Sequence, residues 1–108
     1  MESMDYVYTE EMYADDVTLE KVAIMIELIM TITNCRYSDA YKIITKSNVY
    51  SRLVSKEYSN VHDSPQANLS SIGVELRANI DHLGDVITDE NIIKAFRKLR
   101  DINLKNKK

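Results

Sequence analysis

An all-α fold is what this sequence predicts, and three features carry the expectation. Glycine (2) and proline (1) are scarce in a chain of 108 residues, whereas β-sandwiches and barrels need Gly- and Pro-rich turns every ~8–12 residues. Apolar residues recur at spacings of three and four, most plainly in Ile92, Ala95, Phe96, Leu99 and Ile102, the signature of one helix face. Residues that start helices well, Thr18, Ser38, Ser64 and Thr88, precede the apolar stretches. The architecture these predict is a compact bundle of about five helices around a buried first helix, with a short acidic N-terminal arm.

Residues 1–16 show no helical period, and they carry six acids (Glu2, Asp5, Glu10, Glu11, Asp15, Asp16) and no Lys or Arg. They read as a partly ordered arm, with Tyr6-Val7-Tyr8 able to form a short strand or to lie on the body. A single helical domain is expected over residues 17–104, and residues 105–108 form a basic tail.

The first helix is expected from Thr18 to Asn34, with Thr18 as N-cap and Val17 and Val22 as a hydrophobic staple. Its apolar residues, Val22 to Ile32 among them, cover nearly every face, leaving a narrow stripe of Glu20, Glu27, Thr31 and Asn34. A helix of that kind is buried or membrane-inserted. The run is interrupted by Glu27 and Thr31 and falls short of the ~20 apolar residues of a membrane span, so burial is the expectation. Half-burial against a second copy is the alternative.

Ser38 is expected to cap a second helix, Asp39 to Lys46, with Ala40, Tyr41, Ile43 and Ile44 inward. After Ser47-Asn48, a third runs from Val49 to about Tyr58, with Val49, Tyr50, Leu53 and Val54 inward. Ser64-Pro65 opens the fourth, since Pro at the first helical position loses no hydrogen bond. Its inner face reads Leu69, Ile72, Leu76, Ile80 and Leu83, and Gly84 is its expected stop. Gly73 marks close contact with a neighbouring helix. Thr88 caps the fifth helix, whose first-turn Asp89 and Glu90 suit the positive end of the helix dipole. Ile87 and Ile92 form its staple, and fraying is expected from Asn103.

The net charge of −3 is unevenly placed. Residues 94–108 carry seven bases (Lys94, Arg97, Lys98, Arg100, Lys105, Lys107, Lys108) against Asp101, so the two ends oppose one another in sign. A single cysteine, Cys35, excludes an intramolecular disulfide and fits a reducing compartment. An acid-rich opening is unlike the basic-then-apolar order of an export signal. A cytoplasmic location without membrane association is therefore expected.

Candidate chemistry is sparse. His62-Asp63 is an adjacent acid–base pair, but catalysis needs a nucleophile or substrate within hydrogen-bond reach, and Asp63 reads better as part of the loop before the fourth helix. His82 reads as a cation at that helix's C-terminal end. Cys35, His62 and His82 lack zinc-ligand spacing, so no metal and no cofactor is expected. Cys35 reads as a small apolar filler, and Glu27 as part of a solvated stripe rather than a functional acid. The chain reads as a non-enzyme.

What stands out is a tyrosine excess, seven against one Phe. Tyr suits surfaces with one end buried and one wet. Tyr41 and Tyr50 fall on inward faces. Tyr6, Tyr8 and Tyr13 in the acidic arm, and Lys94, Arg97, Lys98 and Arg100 in the last helix, are the candidate partner-binding residues. The expected partner is another protein. Nucleic acid on the basic helix is the alternative, and a homodimer is a further arrangement. Residues 38–58 fit a helix-turn-helix poorly, because Ser47-Asn48 lacks the usual glycine and only Arg52 and Lys56 supply bases.

Residues 18–76 resemble a family of short bacterial helical proteins of unknown function, through three features. These are the apolar Val22–Ile32 run, the Tyr37-Ser38-Asp39-Ala40-Tyr41 helix opening, and Val49-Tyr50-Ser51-Arg52-Leu53 followed by His62-Asp63-Ser64-Pro65. Members are often encoded beside ADP-ribosyltransferase-like toxins. The resemblance implies an antitoxin-like or regulatory partner of another protein, and no catalytic residues. The alternative is a small phage-type regulator that binds or imitates nucleic acid.

Overall fold

In the computed structural model, which describes residues 16–55 and 63–106, the chain is all-α. Five helices follow in order: α1 (Asp16–Thr33), α2 (Tyr37–Thr45), α3 (Asn48–Ser55), α4 (Pro65–Ala78) and α5 (Asp89–Asn106), with a 3₁₀ turn, His82–Asp85, between the last two. No strand occurs among the described residues, and no described helix is long and apolar enough to cross a membrane. The acidic arm lies outside the described residues.

α1 packs against α2, α4 and α5 and is the hub of the bundle. Val22, Met25, Ile26, Leu28 and Ile29 place its core side against Ala40 and Ile44 of α2, Leu69 and Ile72 of α4, and Ile92 and Ala95 of α5, all in one cluster. Burial all round does not hold. Leu19, Glu20, Ala23, Ile24 and Glu27 are exposed, because the neighbouring helices enclose α1 on one side only. Glu27 thus stands in solvent on an open face, as the stripe reading expects.

The ends of α1 differ from the expected ones. Asp16 and Val17 are already helical, so Thr18 is not the N-cap but lies buried within α1. The helix stops because Asn34 turns left-handed (φ 58°). The Asn34 amide then donates to the Met30 carbonyl at 2.8 Å, closing the helix in a simple αL cap. Asn34 is therefore the stop and not part of the polar stripe. Cys35 follows it, half-buried against the core.

α2 begins at Tyr37, two residues before the Asp39 that a Ser38 cap would set. Its cap is Arg36, whose amide donates to the Asp39 carboxylate at 3.4 Å. Asp39, three residues on, reaches back as the acid of a capping box does. Only Lys46 and Ser47 separate α2 from α3. The Ser47 hydroxyl accepts from the Tyr50 amide at 3.1 Å and donates to the Ile44 carbonyl at 2.6 Å, capping one helix and closing the other. The inward sets of both helices are as expected, with Ala40, Ile44, Val49, Tyr50 and Leu53 buried.

Ser64 caps α4 through the Ala67 amide at 3.0 Å, with Pro65 in the first turn. α4 stops at Ala78, well short of Gly84. The stop is a Schellman motif at Ile80: its amide donates to Arg77, and the Asp81 amide donates to Leu76 at 2.9 Å. Ile80 has φ 57° and is 90 % exposed, so it does not belong to the inner face. His82 consequently opens the 3₁₀ turn instead of closing α4. Gly84 serves close approach: a Cβ there would stand 2.6 Å from the Arg77 backbone nitrogen. Gly73 does the same work, but the neighbour is the Ile87 carbonyl in the loop before α5, not a helix.

Thr88 caps α5 through the Asn91 amide at 3.3 Å, and the staple residues Ile87 and Ile92 are both buried. Ile92, Ala95, Phe96 and Leu99 face the core, whereas Ile102 is exposed. The helix is described as far as Asn106.

Two substitutions test this frame. A left-handed residue with a Cβ costs ~1–2 kcal/mol, part of which Gly gives back as unfolded-chain entropy. Ile80→Gly should therefore stabilise the fold by about 1 kcal/mol, raising the thermal midpoint by about 4 °C at low protein concentration. Gly73→Ala should lower stability by about 2 kcal/mol, seen as a reduced urea midpoint at unchanged slope, since a Cβ against a backbone carbonyl cannot be accommodated by rotamer change.

Candidate functional site

Among the surface grooves that this packing leaves, two are lined by bases. The larger, of about 340 Å³, lies where α2, the α2–α3 link, α4 and the 3₁₀ turn meet. Its floor is Ile43, Ile72, Leu76 and Leu83, and its rim carries Lys42 and Lys46 on one element and Glu75, Asn79 and Asp81 on others. The carboxylates here already have structural tasks. Glu75 accepts from the Asn48 amide at 3.0 Å and the Val49 amide at 3.2 Å, so a side chain of α4 caps the N-terminus of α3. A carboxylate suits that position because the first helical amides are unpaired and the helix dipole is positive there. Asp81 accepts from the Leu83 amide at 2.9 Å and caps the 3₁₀ turn.

The second groove, of about 270 Å³, lies between the end of α1 and the first half of α5. Thr31, Ile32, Val86 and Ala95 form its less polar part, while Asn91, Lys94 and Lys98 supply polar groups. The Thr31 hydroxyl donates to the Glu27 carbonyl at 2.8 Å. The Asn91 side-chain amide donates to the Val86 carbonyl at 2.8 Å and fixes that wall. Lys94 lies 3.3 Å from Glu90 across one exposed turn, a pair of small energetic value. Lys98 has no ion pair with a described residue. The groove therefore offers two ammonium groups one helical turn apart above an apolar floor.

Of the candidate partner-binding residues, Lys94 and Lys98 share this groove. Arg97 and Arg100 are exposed on α5 but do not line it, and Arg100 pairs with Asp101 at 3.6 Å. Tyr6, Tyr8 and Tyr13 lie outside the described residues, as does His62. Asp63 is half-buried, and its backbone carbonyl receives the side-chain amide of the buried Asn68 at 3.4 Å. Among the described residues no group of three or more His, Cys, Asp or Glu is placed to hold a metal ion. Tyr37 is 59 % exposed and stacks on Tyr41, with ring centroids 6.4 Å apart.

Glu75, Arg77 and Ile80 are the influential residues that sequence reasoning missed. Glu75 caps a helix 26 and 27 residues away, and Arg77 donates to the Gly84 carbonyl at 2.7 Å and the Ile87 carbonyl at 3.1 Å. Neither pairing leaves a local pattern. Comparison with protein families, with curated proteins and with solved structures finds no match to this chain.

Glu75→Ala should destabilise the fold by about 1–2 kcal/mol, the usual effect of losing a helix cap. Glu75→Gln, which keeps an acceptor, should recover about half of that loss in a denaturant titration.

Proposed function

We propose that this chain is a non-enzymatic protein–protein interaction module, acting as an antitoxin-like or regulatory partner of another protein. The observation that carries this reading is the groove beside α5, where Lys94 and Lys98 stand beside the apolar side chains of Ile32, Val86 and Ala95. That chemistry fits an extended segment in which an aromatic or aliphatic side chain is bordered by carboxylates. Buried anchors supply affinity in such contacts, while rim charges set orientation and association rate. The open face of α1, with Leu19 and Ile24 exposed, is a second apolar surface on the same molecule.

The exposed bases Lys94, Arg97, Lys98 and Arg100 favour a second reading, contact with a nucleic-acid backbone. Salt separates the two. Four phosphate contacts imply a roughly 100-fold loss of duplex affinity between 50 and 200 mM salt. An anchor-driven peptide contact should weaken only severalfold over the same range.

The test is fluorescence anisotropy with two probes, a Glu-Tyr-Asp-rich peptide and a short DNA duplex. Peptide binding that drops about tenfold in the Lys94→Glu, Lys98→Glu double variant, with little salt dependence, is the expected result. Steeply salt-dependent duplex binding with no peptide binding would transfer the assignment to nucleic acid.

A further inference from the structure

Ile80 is an unusual residue to find at the end of α4. The left-handed conformation it adopts, φ 57°, is one that Gly or Asn enters without penalty and a β-branched residue does not. Nor does its side chain pack in its own subunit, being 90 % exposed. A large apolar side chain is thus held outward at a backbone position that disfavours it. Such outliers are retained where the surrounding structure or a function requires them.

The groove of about 340 Å³ lies directly beside it: Asn79 and Asp81, the two residues flanking Ile80, both line that groove. Its floor is apolar, and its rim sets Lys42 and Lys46 against Glu75 and Asp81. An exposed apolar side chain (the knob) and a groove with apolar lining (the hole) are therefore adjacent along the chain, the groove bordered by charges of both signs. That is the arrangement a twofold interface needs. With the axis passing between knob and hole, each copy's knob enters the other's hole, and residues on one side of the rim meet those on the other.

We propose that this face is the homodimer interface of the protein, with Ile80 of each copy seated in the groove of the other. The Lys42–Lys46 edge then lies along the partner's Asp81, so opposite charges meet across the axis. The contact is separate from the basic groove on α5 and does not rest on the function proposed for it. Two seated side chains on a small face make a reversible dimer, at the lower end of interface sizes.

Ile80→Gly makes the test clean, because it removes the knob and relieves the backbone at the same position. Ile80→Asn is the companion variant, since Asn also tolerates the left-handed region. Sedimentation equilibrium up to about 0.5 mM, within reach of a weak interface, should show a reversible wild-type dimer. Both Ile80 variants should keep the helical circular dichroism spectrum yet associate about 100-fold more weakly or worse, as expected for losing two buried isoleucines. The Lys42→Glu, Lys46→Glu variant, altered only at the rim, should also weaken association. Mixing it with Ile80→Gly should restore a heterodimer that keeps one of the two knob–hole contacts. A wild-type chain that stays monomeric throughout overturns the proposal. So does a dimer that survives loss of Ile80, which would place the contact elsewhere, as on the open face of α1.

Discussion

The reversal of the chain between α4 and α5 depends on how closely two glycines let the backbone approach. Gly84 rests on the backbone of Arg77, and Gly73 on the carbonyl of Ile87, at separations that leave no room for a Cβ. With the chain so near, the Arg77 guanidinium reaches the Gly84 and Ile87 carbonyls at 2.7 and 3.1 Å. These contacts place Ile87 in the core and Thr88 where it caps α5. The last helix, with every base it presents, is aimed by that turn. The left-handed Ile80 belongs to the same constraint, since α4 has to stop early for the 3₁₀ turn to fold back along it.

Much of this was legible in the sequence because it is written locally. Ser64-Pro65 and Thr88 with its staple rest on residues within one turn of their partners, and the inward sets of α2 and α3 show in the three-and-four spacing along each helix. The stops of α1 and α4 were less legible. Asn34 is a residue that tolerates the left-handed region, but within an apolar run it reads as the last member of a polar stripe. Nothing around Ile80 announces a stop, and Gly84, which does, is engaged in packing instead. The face of α1 was misread for a different reason. Periodicity reports which residues are apolar, whereas exposure of Leu19 and Ile24 depends on how many neighbours exist to cover them.

The candidate sites divide in the same way. Charge asymmetry pointed to α5, and Lys94 and Lys98 do share a groove there. That Thr31 and Ile32 of α1 would complete it is a tertiary fact, invisible to spacing within α5. The larger groove had no signal at all. Its residues come from α2, the α2–α3 link, α4 and the turn, and its two carboxylates are held by backbone amides far away or just downstream in sequence.

The cap that α4 lends to α3 also bears on how the molecule opens. A short helix does not persist alone in water, and the carboxylate that pairs the first amides of α3 is supplied by Glu75. α3 therefore cannot be a foldon in its own right. Its amides should exchange with solvent hydrogen only in openings that also detach α4, whereas those at the far end of α5 are free to exchange by local fraying.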